Sequence, residues 1–134
     1  MLILYDITVD LVKSPLAASI SGTRFSWKLN SDVANTHQVS YRARILDEEG
    51  SVAFDSDVVL SSDSVEVSFS GLTLSPATTY CFAVQVTDNH GEQAEGYTSF
   101  STELPAELWT AKWIKPAKHY ESWAPYIRKK FESP

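Results

Sequence analysis

The side chains with the clearest capacity for chemistry in this 134-residue sequence are three of its four tryptophans, Trp109, Trp113 and Trp123, crowded towards the C-terminus. Indole faces stack on the C–H surfaces of sugars and equally well on other apolar side chains, so the cluster suits a carbohydrate contact or a domain junction, and the junction is the plainer role. Asp55, Ser56 and Asp57, with Asp63 nearby, gather hard oxygen ligands as a calcium loop would. The segment lacks the ligand number and the glycine of a recognised calcium motif, and it reads as a capped turn of acids. His37, His90 and His119 stand far apart in polar stretches with no second ligand at a useful spacing, which assigns no metal. Glycoside hydrolysis needs two carboxylates held across a cleft. Seventeen acids supply many pairs and nothing selects one, and Asp47, Glu48 and Glu49 share a turn too loose for precise positioning. With no nucleophile elbow, P-loop or dinucleotide fingerprint either, no catalytic residue and no cofactor is assigned.

Charge narrows the partners. A net charge of -6 and a pI near 4.9 oppose binding to nucleic acid, which needs clustered Lys and Arg. The one basic run, Arg128, Lys129 and Lys130, is short and reads as a solvated strand end. No stretch reaches the roughly 18 apolar residues of a membrane span. The N-terminus MLILYDITVDL has no basic start and meets Asp6 and Asp10, unlike a signal peptide. The single cysteine, Cys81, has no internal disulfide partner and is expected to be a half-buried, inert thiol, which suits a cytoplasmic protein. Pro134 follows Phe131, Glu132 and Ser133 in mid-pattern, as if the chain were cut there.

These residues need a frame, and the strongest patterning lies in Leu74–Asp88. Tyr80, Phe82, Val84 and Val86 recur at period two, so they leave one face of an extended segment. Leu72, Leu74, Pro76 and the Thr78–Thr79 pair lead into them as a corner, the sequence shape of a tyrosine corner in which Tyr80 bonds nearby backbone. Earlier, residues 3–13 alternate with Ile7, Val9 and Leu11 on one side, and 24–29 place Phe25, Trp27 and Leu29 inward. Val39, Tyr41, Ala43 and Ile45 share a face of 38–47, opposite Arg42 and Arg44, before the acidic turn at Asp47–Gly50 and a short return strand over 51–54. Val65, Val67 and Phe69 alternate next, and Tyr97–Thr102 closes the series.

About seven short strands and no helical period predict an all-β, immunoglobulin-like or fibronectin type III-like sandwich of two sheets over residues 1–103. Its expected core is Val9, Phe25, Trp27, Tyr41, Ala43, Ile45, Val67, Tyr80, Phe82, Val84 and Phe100. Residues 104–134 form an irregular Trp-rich tail that cannot bury its aromatics alone. Trp109 and Trp113 are expected against the sandwich edge, and Ala124–Phe131 as the first strand of a following sandwich.

The phrases RFSWKL, QVSYRARIL, VAFDS, TYCFAVQVTDNHG, SFSTEL, WTAKWI and APYIRKKF occur in this order over nearly the whole chain. Taken together, the series resembles the N-terminal region of bacterial α-L-rhamnosidases. The resemblance implies a fibronectin type III-like module in which Trp27 and Tyr80 are structural. It also implies a parent that continues into further domains and hydrolyses terminal α-L-rhamnose with inversion in an (α/α) barrel, so no catalytic residue is carried over to this chain. Phe82 and Tyr97 stand where the family often has tryptophan, and the approach Gln93–Thr98 is short. The implied role is a non-catalytic accessory domain that braces or spaces the other domains of its polypeptide. Two alternatives are a carbohydrate-binding module using Trp109, Trp113 and Trp123 on rhamnosylated sugar, and a protein-interaction sandwich working through an edge strand that bears Arg42 and Arg44.

Overall fold

The computed structural model describes residues 1–115, 128–130 and 132. Six strands follow one another: β1 (Leu2–Val9), β2 (Phe25–Ser31), β3 (Gln38–Leu46), β4 (Val52–Val59), β5 (Thr79–Asp88) and β6 (Gln93–Ser101). β1 and β2 pair in one antiparallel sheet, while the other runs β4-β3-β5-β6. Inward-facing side chains of both sheets meet in a single core, the sandwich arrangement that alternating strands favour.

All eleven of the core residues expected from alternation are buried, and Ala18, Leu74 and Val86 join them. Phe25 lies at the centre, its ring 4.4 Å from Phe82 and 5.3 Å from Phe69, with Phe100 edge-on at 5.9 Å. Trp27 meets Tyr41 edge-on at 5.2 Å. Offset and edge-on contacts of this kind suit the ring quadrupole, so the aromatics add directional packing to their burial. The indole N–H of Trp27 donates to Gln38 Oε1 at 2.9 Å, and Gln38 Nε2 donates to the carbonyls of Ser61 and Asp63, both at 2.9 Å. One buried amide thereby satisfies the tryptophan and fastens the segment that crosses between sheets.

Several local expectations need correction. The opening strand ends at Val9, because Asp10 and Leu11 turn back through positive φ (49° and 63°). The Asp10 carboxylate holds that turn by accepting the N–H groups of Ser19 and Arg24, both at 2.9 Å, and Leu11 is exposed instead of inward. Val65–Phe69 forms no strand. Glu66 has φ 49° and gives its N–H to Ser26 Oγ, leaving Val67 to pair alone with Phe25. Strand β4 runs on to Val59, so Asp55, Ser56 and Asp57 lie within a strand and not in a turn. β6 starts at Gln93 instead of Tyr97. Val39 turns outward where the β3–β5 register shifts between Gln38 and Ser40.

Candidate functional site

The sandwich hands its chain to the tail at a tightly built corner. Tyr80, 6% exposed, accepts the Ser75 N–H at its hydroxyl, 2.9 Å away. Thr102 Oγ1 donates to the Ser75 carbonyl at 2.6 Å and accepts the Thr78 N–H at 2.9 Å, so β6 and the corner are locked together. Beyond it, the Glu103 N–H donates to the Ala18 carbonyl, the Ala77 N–H to the Glu103 carbonyl, and the Glu103 side chain accepts from Ile20. Tyr80 and Trp27 are both buried, with their polar atoms bonded inside the sandwich.

From this fixed point the chain leaves through Pro105 into a single 3-10 turn, Ala106–Leu108. The turn buries nothing. Leu104, Leu108, Trp109, Trp113 and Ile114 are all exposed, Trp109 at 63% and Trp113 completely. The expected packing of Trp109 and Trp113 against the sandwich edge is thus absent: neither indole is covered by the described residues. Trp123, His119 and most of the strand expected at Ala124–Phe131 lie outside the described residues; within that stretch Arg128, Lys129 and Lys130 are exposed.

The other residues singled out by type have structural employment. Arg42 grips Asp55 with two bonds, Nε to Oδ1 at 3.0 Å and Nη2 to Oδ2 at 2.6 Å. That guanidinium, helped by the Asp57 N–H, pulls the Asp55 carboxyl down to about 2. Arg44 Nη2 reaches Glu95 at 2.9 Å. β3 lies between β4 and β5, so the two arginines are not on an edge strand, and the interaction surface expected there is not formed. His37 and His90 are exposed in loops, and among the described residues no three His, Cys, Asp or Glu side chains gather as metal ligands. Cys81 is half-buried, and desolvation raises its thiol pKa, as befits an inert cysteine.

Residues that the sequence did not mark out cluster where β1 passes β6. β1 bulges between Tyr5 and Thr8, and Asp6 takes φ 52°. Its carboxylate bridges Lys13 Nζ at 2.5 Å and Lys28 Nζ at 2.8 Å, and these ammonium groups draw its pKa down to about 2. Gly96 leaves room for the crossing, since a Cβ there would run into Ile7 Cδ1 and stand 3.2 Å from Leu4 Cβ. A glycine inside a strand is the one sequence signal for such a close approach.

Comparison with known proteins gives this frame a lineage. A family model described as Rha78A-like, N-terminal immunoglobulin domain, matches residues 4–105. An α-L-rhamnosidase of Streptomyces avermitilis is 32% identical over 114 residues, which is 80% of this chain and 11% of that protein. The crystal structure of Streptomyces avermitilis α-L-rhamnosidase complexed with L-rhamnose superposes with a TM-score of 0.77 at 31% identity, covering 87% of this chain and 12% of that one. The α-L-rhamnosidase from Dictyoglumus thermophilum gives 0.75 at 28% identity, over 87% of this chain and 14% of that one. This chain therefore spans only about a tenth of the length of its curated relative. A sandwich pinned by Trp27 and Tyr80, matched over residues 4–105, shows that the chain belongs to the Rha78A-like N-terminal immunoglobulin domain family.

Proposed function

We propose that residues 1–103 are a non-catalytic accessory sandwich of an α-L-rhamnosidase, and that residues 104–134 link it to a following β-sandwich of the same polypeptide. One observation carries the docking role: five large apolar side chains between Leu104 and Ile114 stand in solvent immediately after a rigidly bonded corner. So many large apolar side chains left exposed within eleven residues support an interaction surface. The corner gives the strip a fixed point of departure, so covering it would brace one domain against the next.

The test uses the whole enzyme. Trp109→Ala together with Trp113→Ala should lower its Tm and weaken its rhamnosidase kcat/KM, while leaving the isolated chain as stable as before. An enzyme unchanged in both readouts would sink the bracing role. The bare indoles also favour a second reading, sugar stacking, in keeping with a relative crystallised with L-rhamnose. Tryptophan emission titrated with L-rhamnose and rhamnosyl oligosaccharides separates the two: a saturable change in the isolated chain supports stacking, and its absence supports docking alone.

A further inference from the structure

Where β1 crosses the edge of β6, the strands leave a groove of about 330 Å3 that the docking role does not use. Tyr5, Asp6, Lys13, Ser14, Tyr97 and Thr98 line it. We propose that this groove binds a single neutral pyranose ring. The inference stands on the groove alone and is independent of what the tail does.

The groove's polar groups are arranged and incompletely used. Asp6 and Ser14 both hold positive φ (52° and 47°), conformations that a non-glycine residue keeps only where its surroundings impose them. Asp6 is held by Lys13 and Lys28, so its carboxylate is fixed and its remaining lone pairs are directed. Ser14 Oγ and Thr98 Oγ1 meet at 3.4 Å, too far for a good hydroxyl–hydroxyl bond, and each keeps capacity for another partner.

The open edge of β6 adds a peptide group. On the side of β6 away from β5, Ser101 donates its N–H to Pro15 and accepts from Ala18. The β5–β6 register runs without a shift from Thr79↔Ser101 to Thr87↔Gln93, so alternate residues repeat that orientation. Tyr97 consequently presents its N–H and C=O to the same open edge, and no backbone partner meets them among the described residues.

Charge and shape then select the ligand. An anion would face the Asp6 carboxylate, and a cation would face the Lys13 ammonium. A wholly apolar group would strip water from the carboxylate and the Tyr97 peptide and give nothing back. Hydroxyl groups both donate and accept, which is what a carboxylate, an ammonium, two hydroxyls and a peptide edge need together. Tyr5 is exposed beside them, with Lys28 Nζ 6.0 Å from its ring centre, and offers an aromatic surface to the C–H face of a sugar ring. A volume near the lower limit for small-ligand sites suits one ring, not an oligosaccharide.

Amide chemical shifts of the 15N-labelled chain test this directly. The probes are the methyl pyranosides of glucose, galactose, mannose and rhamnose, with glycerol as a ringless control. We expect at least one pyranoside to move the amides of Tyr5–Ile7, Lys13–Ser14 and Tyr97–Thr98 saturably, with half-saturation at about 1–10 mM. Tyr5→Ala, checked for folding by the same spectrum, should weaken that binding about fivefold or more. Lys13→Gln, which leaves the ring surface intact, should weaken it as well. Four outcomes would overturn the site: no shift at those amides with any probe, glycerol reproducing the pattern, shifts confined to Trp109 and Trp113, or folded variants that bind as the parent chain does.

Discussion

A single hydrogen bond from the Ser75 N–H to the Tyr80 hydroxyl joins the corner to the strand that follows it, at 2.9 Å and under cover of the core. Replacing the phenol by a phenyl ring keeps the packing and leaves a part-buried N–H without its acceptor. Tyr80→Phe should therefore cost about 1–3 kcal/mol in urea unfolding. A loss near zero would mean that water or a shifted hydroxyl replaces the bond. Asp55 offers a second test at this scale. Its folded pKa of about 2 lies below the ordinary value of 3.8, so the folded state binds the proton less readily than the unfolded chain. The Arg42–Asp55 contribution is then fully present above pH 4 or so and is lost as pH falls towards 2. The pair is partly solvent-exposed and screened, which keeps its contribution modest. Urea midpoints measured from pH 5 down to pH 2 should fall less steeply for Asp55→Asn than for the parent. Parallel curves would remove the pair from the acid response.

Strands β1 and β6 show how one element constrains another. A Cβ at position 96 would displace the end of the Ile7 side chain and stand 3.2 Å from Leu4 Cβ, so a side chain there crowds the approach of the two strands. Gly96→Ala should destabilise the chain by about 1–3 kcal/mol through overpacking. Ile7→Val removes the Cδ1 atom that collides, and in a double-mutant cycle it should recover part of the loss. Strict additivity of the two changes would show that the strands do not meet as described. Val65–Phe69 shows the reverse, an alternating segment that makes no strand: Val67 alone pairs with Phe25, and Val65 stands in solvent. Ser26 Oγ takes the Glu66 N–H at 2.8 Å, and a side chain does there what a ladder bond would have done.

At the scale of the whole molecule, the two parts of the chain follow different rules. The sandwich was legible because period-two alternation reports directly which side chains face a neighbouring sheet. Phe25, Trp27, Tyr41, Ala43, Ile45, Tyr80, Phe82 and Phe100 all obey it. Trp109 and Trp113 were legible as aromatic but not as exposed: alternation gives no register in the tail, and the sandwich edge expected to cover them leaves both in solvent. Gln38 was not legible at all, since a buried amide at the start of a strand has the same sequence signature as a solvated one. Only the approach of Trp27, Ser61 and Asp63 gives it partners.

The sequence by itself therefore determined the fold class, the core and the tyrosine corner, because these depend on local alternation and on turn residues close together in the chain. Tertiary structure alone decided that β1 bulges at Asp6 to meet β6 at Gly96, that Arg42 and Arg44 lie on an inner strand, and that Trp109 and Trp113 are left uncovered by the described residues. The physical reason is common to all three. Each depends on groups distant in sequence whose meeting is set by how the two sheets pack, and a pattern read along the chain carries no term for that distance.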